Sequence, residues 1–512
     1  MLYGYGGRIL RVDLTTGKIQ WEITDPQFVL KVIGGRGHNS RRLFLELNRD
    51  IDPLSPENLL LIGVGPLTGT LLTGSAYFTI SGKSPLTGIL GDSAAGGHFG
   101  PELKQAGYDQ IMITGRSERP SYLLIADDHV EIREASHLWG KDIWEATAAI
   151  RSEIGDNAVQ IAAIGPAGEN LVKFATVACN YSRMCGRTGM GCLFGSKHLK
   201  AIAVRGTHPV TVADSLVYME LCKAIDEKIL AHSEFERRKS MGTTMLMTAL
   251  NSLGILPTNH FQKGICDYVD KISGERLARD YKVKNKSCFN CNVHCSRYYV
   301  TGEAESEGPE YETICTYSSK LGNDDLEFAL KMNAFLNRMG MDSVSSGETI
   351  GWAMECIQRG LLTKDDLDGI DLTWGDREAI EKILHMIVYR EGVGDAFAEG
   401  TRSLAQRFGH GTDAYAFHIK GLDMICGDPR GIKGYGLAYA IASRGGDHLR
   451  AEPFFELTER YDEAKRRFGT RDAANRLAEN GKAALVEYSE RLALITDCLT
   501  MCKNIGLCMD IL

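Results

Sequence analysis

Apolar and polar residues alternate with period two at the start of the chain. Ile9-Leu10-Arg11-Val12-Asp13-Leu14 and Lys18-Ile19-Gln20-Trp21-Glu22-Ile23 flank Thr15-Thr16-Gly17. Two such runs around a short polar turn with glycine predict a β-hairpin. Tyr122 to Ala126 and Val130 to Arg133 flank Asp127-Asp128 in the same way. From about residue 212 the period changes. Segments 213–241, 323–341, 347–359, 376–390 and 470–495 carry helical spacing, as in Leu326, Leu330, Phe335 and Met339. Asp376 opens one of these segments as an N-cap. No repeat of 20–50 residues and no low-complexity tract interrupts the pattern. The pattern predicts an α+β protein, β-rich first and mainly helical afterwards.

Composition narrows the class. A chain of 512 residues holds roughly two to four domains at ~150 residues each. Its 58 basic and 66 acidic side chains leave a net charge of −8, which argues against broad nucleic-acid binding. Charged residues at 24% and hydrophobic residues at 44% exclude disordered and collagen-like classes. No apolar stretch approaches the ~18–20 residues of a membrane span. The opening residues, Met1 to Arg11, lack the apolar core of a signal peptide. A cytoplasmic location is therefore expected, and there the 14 cysteines are free, catalytic or metal-bound.

Most cysteines are scattered (Cys179, Cys185, Cys192, Cys222, Cys266, Cys315, Cys356 and Cys426) and read as small buried hydrophobes. Cys288, Cys291 and Cys295 differ. They form a C-x2-C-x3-C run in a polar, loop-like setting, a spacing that lets one loop present three thiolates to one centre. Zinc would complete its shell with a nearby ligand such as His294, whereas an iron–sulfur cubane takes a fourth, often remote, cysteine. Cys498, Cys502 and Cys508 are available near the end of the chain.

Half of the 56 glycines, 28, fall before position 207. They cluster at Gly34-Gly35-Arg36-Gly37, Gly63 to Gly69, Gly96-Gly97 with Gly100, and Gly186 to Gly191. Such runs either mark turns or let backbone amides approach an anion. Neither the dinucleotide fingerprint nor a P-loop is present, so the expectation is backbone loops around a ligand other than a nucleotide.

Longer ordered blocks carry a resemblance. They include Gly65-Pro66-Leu67-Thr68-Gly69, Lys83-Ser84-Pro85-Leu86-Thr87-Gly88, Gly96-Gly97-His98-Phe99-Gly100-Pro101-Glu102-Leu103 and Gly195-Ser196-Lys197-His198-Leu199-Lys200. Later come Glu307-Gly308-Pro309-Glu310-Tyr311-Glu312, Asp428-Pro429-Arg430-Gly431 and Arg444-Gly445-Gly446-Asp447-His448-Leu449-Arg450. Nearly end to end, the chain resembles the aldehyde:ferredoxin oxidoreductases, tungsten enzymes with a bis-pterin cofactor beside a [4Fe-4S] cluster. The resemblance implies a β-rich pterin-binding domain over 1–208, a helical domain with the three-cysteine loop over 209–417, and a helical domain completing both sites over 418–512.

It further implies that Cys288, Cys291, Cys295 and Cys502 hold the cluster, Cys502 ending a D-x-x-G-L-C motif here written Asp497 to Cys502. Thr500 and Met501 stand where the family has glycine and leucine. The related D-x-x-G-L-D motif reads Asn337 to Asp342, with Met341 before the aspartate. Asn337, Met341, Asp342, Asp497, Met501 and Arg444 are the implied pterin contacts. Arg183, Met184, Gly186 and Arg187 match the loop that cradles pterin phosphate and its Mg2+, with Gly96 nearby. Ala94 stands at a magnesium-binding asparagine position, and Tyr77 replaces a phosphate-binding arginine. Glu327 has no histidine to complete the E-x-x-H motif of a dimer-bridging iron, so that iron is not expected. Family members commonly run some hundred residues longer.

The implied reaction oxidises an aldehyde to a carboxylic acid with water as oxygen source. The metal, tungsten or molybdenum, takes two electrons, which leave through the pterin and the cluster to a ferredoxin or an iron–sulfur subunit. Glu312, beside Tyr311, matches the candidate acid/base, with Glu310 as its rival, and His448 matches the residue that hydrogen-bonds the substrate oxygen. Relatives act on hydroxy acids or reduce aryl-CoA thioesters with a cysteine on the metal, a role open to Cys315 or Cys426. A zinc-binding scaffold is the non-catalytic alternative. An oligomer is expected.

Overall fold

The computed structural model describes residues 2–509 and 511. The first period-two runs form the expected hairpin, β1 (Arg8–Asp13) and β2 (Lys18–Ile23), with Asp13 opposite Lys18. The strands β3 (Leu60–Gly63), β4 (Phe78–Lys83), β5 (Leu90–Ala95) and β6 (Tyr108–Thr114) join them in a six-stranded sheet, order β2-β1-β6-β3-β4-β5. The second expected hairpin is β7 (Ser121–Ala126) and β8 (His129–Glu134), closed with Ala126 opposite His129. With β9 (Gln160–Ala163), β10 (Val177–Cys179), β11 (Arg183–Cys185) and β12 (Leu199–Arg205) it builds a second six-stranded sheet, order β11-β10-β9-β12-β7-β8.

The two sheets share one core. Val12, Ile62, Ile80, Ile111 and Ile113 from the first meet Leu123, Ile125, Ile202 and Val204 from the second, with Phe99 and Phe194 from intervening helices. Strands covered on both faces read as continuous apolar runs rather than alternations. That is why β6 and β12 carry no period-two signal, whereas the edge strand β2 does.

A small three-stranded antiparallel sheet follows: β13 (Lys282–Lys286), β14 (Ser296–Val300) and β15 (Glu305–Glu307). The β13–β14 loop carries the three-cysteine run. The helices that matter for the site are α1 (Ser215–Ala231), α2 (Tyr311–Tyr317), α3 (Leu326–Met339), α4 (Ser343–Gln358), α5 (Arg377–Tyr389), α6 (Lys482–Leu499) and α7 (Lys503–Gly506). Asp376 caps α5 by accepting the Ala379 N–H at 3.0 Å.

Two helical segments differ from expectation. Segment 213–241 breaks after Ala231 and resumes at Phe235. The helix expected over 470–495, α6, begins at Lys482 because Gly481 adopts φ +80 and the preceding residues form only one 3-10 turn. The largest apolar cluster joins α3, α4 and α5 to Leu86, Phe174 and Cys192 of the β-rich region, so the helical and β parts close on one another.

Candidate active site

Cys288, Cys291, Cys295 and Cys502 line one cavity with about 740 Å³ of atom-free space. Among the described residues, no three His, Cys, Asp or Glu side chains converge tightly enough to hold a single metal ion. His294 is exposed and does not line this cavity. Of the C-terminal cysteines only Cys502 reaches it: Cys498 is buried beside Gly37, and Cys508 points its thiol at Glu452. Burial, then the neighbouring thiols, push Cys291 up to about 12 and Cys295 and Cys502 upward as well. Mutually repelling thiols of this kind become thiolates only around a strongly cationic group. The donor set and cavity therefore fit a multi-iron cluster better than one zinc ion.

A larger cavity, with about 1720 Å³ of atom-free space, shares a wall with the first: Tyr77, Arg183, Glu310 and Asn504 line both. Into it face Ala94 of β5 and Gly96 just after it, Arg183 and Met184 of β11, and Gly186 and Arg187 beyond that strand. Asn337, Met341, Asp342, Arg444, Asp497 and Met501 complete the set, with Glu312 and His448. Arg187 and Arg444 are 7% and 1% exposed, yet Arg187 Nε and Nη1, Arg444 Nε, Arg450 Nε and His448 Nδ1 have no hydrogen-bond partner among the described residues. Buried donors are rarely left so. This many orphans around one cavity mark a cradle for an anion. The backbone agrees, since Arg187 and Thr188 adopt φ +68 and +54, left-handed values that non-glycine residues hold only under constraint.

Beneath the arginines runs a buried charge network. Asp92 accepts from Arg36 Nε at 2.5 Å and pairs with Arg444 and Arg450, each at 3.3 Å. Arg450 also bonds Asp497 at 2.8 Å, Arg444 bonds Asp447 at 2.6 Å, and Lys503 pairs with Asp497. Burial works against the charged forms, but Arg450, Arg36 and Arg444 hold Asp92 well below the usual carboxylate range. Arg444 and His448 do the same for Asp447. Asp92, Asp447 and Arg450 were not among the sequence candidates. The charge alternation from Arg444 to Arg450 was the signal for Asp447 and Arg450, and Asp92 had none.

The two related motifs fold alike. In Asn337 to Asp342, Gly340 ends α3 at φ +73 and Asp342 caps α4, accepting the Ser345 N–H at 3.2 Å. In Asp497 to Cys502, Thr500 ends α6 at φ +61 and Cys502 occupies the N-cap of α7. Each motif is a left-handed helix stop followed by a helix start. The early glycines serve this second motif. A Cβ on Gly35 would lie 2.5 Å from Thr500 Cγ2, and one on Gly65 would lie 2.6 Å from the Cys498 carbonyl. Gly34 to Gly37 and Gly65 therefore admit the C-terminal segment rather than form ligand loops, which corrects that expectation. Gly96 fits it better: a Cβ there would meet Cys288 Sγ at 2.8 Å.

The sequence comparisons identify the family. Residues 9–206 match the profile of the aldehyde ferredoxin oxidoreductase N-terminal domain, and residues 220–511 match that of its domains 2 and 3. The chain belongs to the aldehyde ferredoxin oxidoreductase family. It is 43% identical over 458 residues to a tungsten-containing aldehyde ferredoxin oxidoreductase of Pyrococcus abyssi, covering 88% of this chain and 74% of that one. It is 32% identical over 474 residues to the WOR-like subunit of an aliphatic sulfonate oxidoreductase of Pyrococcus furiosus, covering 87% and 75%. Among solved structures, the active-site complex BamBC of benzoyl coenzyme A reductase superposes with a TM-score of 0.85 at 28% identity, covering 98% of this chain and 82% of that one. Among the described residues no helix is long and apolar enough to cross a membrane.

Departures from the family pattern acquire physical meaning here. Thr500, where the resemblance leads one to expect glycine, keeps the left-handed turn, held by Oγ1 contacts to Thr68 Oγ1 at 2.5 Å and the Gly65 N–H at 3.1 Å. Tyr77, in place of an arginine, brings its hydroxyl to Cys502, whose negative field, with burial, raises the phenol far above its usual range. Ala94 pairs with Thr79 across β4 and β5 and lines the cavity, its methyl side chain bringing no polar atom. Glu327 accepts the Gly302 N–H at 2.9 Å.

Glu312 sits on α2, its Oε2 accepting the Cys426 N–H at 2.8 Å. Glu310 is already engaged, Thr243 donating to one oxygen and Arg297 lying 3.5 Å from the other. Tyr311 does not reach the cavity. Its hydroxyl donates to the Cys426 carbonyl at 2.5 Å and clamps α2 to that segment. Cys315 and Cys426 are fully buried, and neither lines the cavity.

Proposed function

We propose that this protein oxidises aldehydes to carboxylic acids, with water supplying the oxygen, and passes the electrons to ferredoxin. A tungsten-bis-pterin would occupy the large cavity and a [4Fe-4S] cluster the thiol cavity. One observation carries the reading: four thiols around one cavity share a wall with a second cavity that gathers the candidate pterin contacts, Glu312, His448 and the orphaned guanidinium donors.

When bound, the pterin-held metal supplies a two-electron sink and the cluster a one-electron outlet. The chain's residues do the rest. Arg187 and Arg444 give their unpartnered N–H groups to the pterin phosphates. Mg2+ would sit with those phosphates, using backbone near Ala94 and Arg183. Asn337, Asp342 and Asp497 hydrogen-bond the pterin rings, and Cys288, Cys291, Cys295 and Cys502 hold the cluster. Glu312 is oriented through Oε2 by the Cys426 N–H and exchanges a proton with the reacting water. His448 offers a donor to the substrate oxygen. Arg183 bridges the two cavities, and the thiolates and Glu307 favour its charged form. The same reading treats 1–208, 209–417 and 418–512 as three units closing on the shared site, in an oligomeric enzyme.

Metal analysis of protein purified without air tests this directly. About one tungsten or molybdenum and about four irons per chain are expected, with aldehyde-dependent dye reduction. Zinc alone, without visible absorption, would reject it. The likeness to the benzoyl coenzyme A reductase complex favours a second reading, aryl-CoA reduction. The cysteine that chemistry would require is not at the cavity wall.

A further inference from the structure

The large cavity has a second neighbour. A cavity with about 680 Å³ of atom-free space lies behind residues 451–455, between Phe454, Phe455, Tyr488 and Leu492, with Arg467 half-exposed at its edge. Glu452 lines both cavities. It is 8% exposed, and its backbone is held at φ +55, in the left-handed region. Its N–H donates to the His448 carbonyl at 3.0 Å, so a single turn places it next to the residue assigned to the substrate oxygen. Among the described residues, the hydrogen-bond partner of its carboxylate is a weak one, the Cys508 thiol at 3.9 Å from Oε2. A buried carboxylate without a strong fixed partner, in a constrained backbone between two cavities, is built to change its protonation.

We propose that Glu452 passes protons between the large cavity and solvent through this second cavity. The inference rests on the proposed aldehyde oxidation, in which RCHO + H2O yields RCOOH, two protons and two electrons. The electrons go to oxidised ferredoxin, one to each of two molecules. The two protons must leave a closed site, first through Glu312 or His448 and then through a group that reaches water. His448, Asp447 and Arg450 face Glu452 from its own turn, and Lys503 and Cys508 from the C-terminal segment. Arg238 faces it from another side, and Tyr435 and Tyr439 are near enough to feel its charge. Burial raises its carboxyl above the ordinary range, while His448, Lys503 and Arg238 oppose that rise. A carboxyl raised above its ordinary range in this way, and set between two cavities, can both take and release a proton. Glu452 is a positioning residue in this scheme, since it acts through the residues that meet substrate.

The test uses the purified holoprotein and Glu452→Gln. Infrared titration should show a protonated carboxyl that titrates above the ordinary glutamate range and is missing in Glu452→Gln. Aldehyde-dependent dye reduction in that variant should fall at least about tenfold and lose the acid limb of its pH profile. It should recover in part with added imidazole and in Glu452→Asp. Leu492→Trp, which fills the second cavity and leaves Glu452 in place, should also slow turnover and enlarge the solvent isotope effect. This variant decides the matter if Glu452→Gln does not fold. Wild-type turnover and pH profile in the variants, at equal metal content, overturn the proposal, as does a loss that neither imidazole nor aspartate relieves. A metal-loaded wild type that oxidises no aldehyde rejects the proposed function instead, while the infrared band still reports whether Glu452 exchanges protons.

Discussion

Glu310 and Glu312 lie two residues apart and meet different environments. Thr243 and Arg297 occupy both oxygens of Glu310, whereas Glu312 is held through Oε2 alone. Glu312→Gln keeps the shape and the Cys426 contact but removes the titrating oxygen, so turnover should fall about 10²–10⁴-fold with unchanged metal content. Steady-state kinetics beside metal analysis checks this; full turnover would move the role elsewhere. Both glutamates were legible as candidates. Their ranking needed partners supplied by residues distant in sequence. Asp423 carries a different signature. Burial, with Glu348 nearby, pushes it up to about 6. The unfolded carboxyl titrates at about 3.9, so between those values the folded protein binds the extra proton and stability falls as pH rises. Asp423→Asn should be more stable at neutral pH by about 1–3 kcal/mol, the gain vanishing below the ordinary carboxylate pKa. Melting curves across that window would show it.

At the scale of elements, the two motifs act as hinged helix junctions. Gly340 combines φ +73 with close packing: a Cβ there would approach the Gly165 amide nitrogen to 2.9 Å. Gly340→Ala should cost about 1–3 kcal/mol, read as a lowered denaturation midpoint, and a neutral result would rule out the steric account. The end of α3 was visible in the sequence, where helical spacing runs to 341 and the helix to Met339. The stop at Thr500 was not, because tertiary hydrogen bonds to Thr68 and Gly65 impose it. The late start of α6 and the break after Ala231 were likewise hidden, since apolar spacing continues across both.

Across the whole molecule, Asp92 ties three regions together. It gathers Arg36 from the first sixth of the chain with Arg444 and Arg450 from the last. Asp92→Asn leaves those guanidinium groups with less compensation and should destabilise by about 3–5 kcal/mol, measured by chemical denaturation. The wild-type contribution is fully present above the unfolded carboxylate pKa and is lost as pH falls towards the depressed folded value. The thiol set spans the chain in the same way. Cys502→Ser should lower the iron per chain and bleach the visible absorption, whereas Cys498→Ser, buried beside Gly37 and outside the cavity, should retain both.

The α+β order, both hairpins, the cap at Asp376 and the family were carried by local pattern and ordered motifs. Those features depend on neighbours in sequence, where period, turn chemistry and spacing act directly. Cys502 was already implied by the D-x-x-G-L-C motif; why the early glycines exist, and how Asp92, Asp447, Arg450 and Glu452 surround the site, were decided only by tertiary structure. Each depends on segments hundreds of residues apart meeting in a buried space, where burial and unpaired donors determine which groups are charged and which remain open to a ligand.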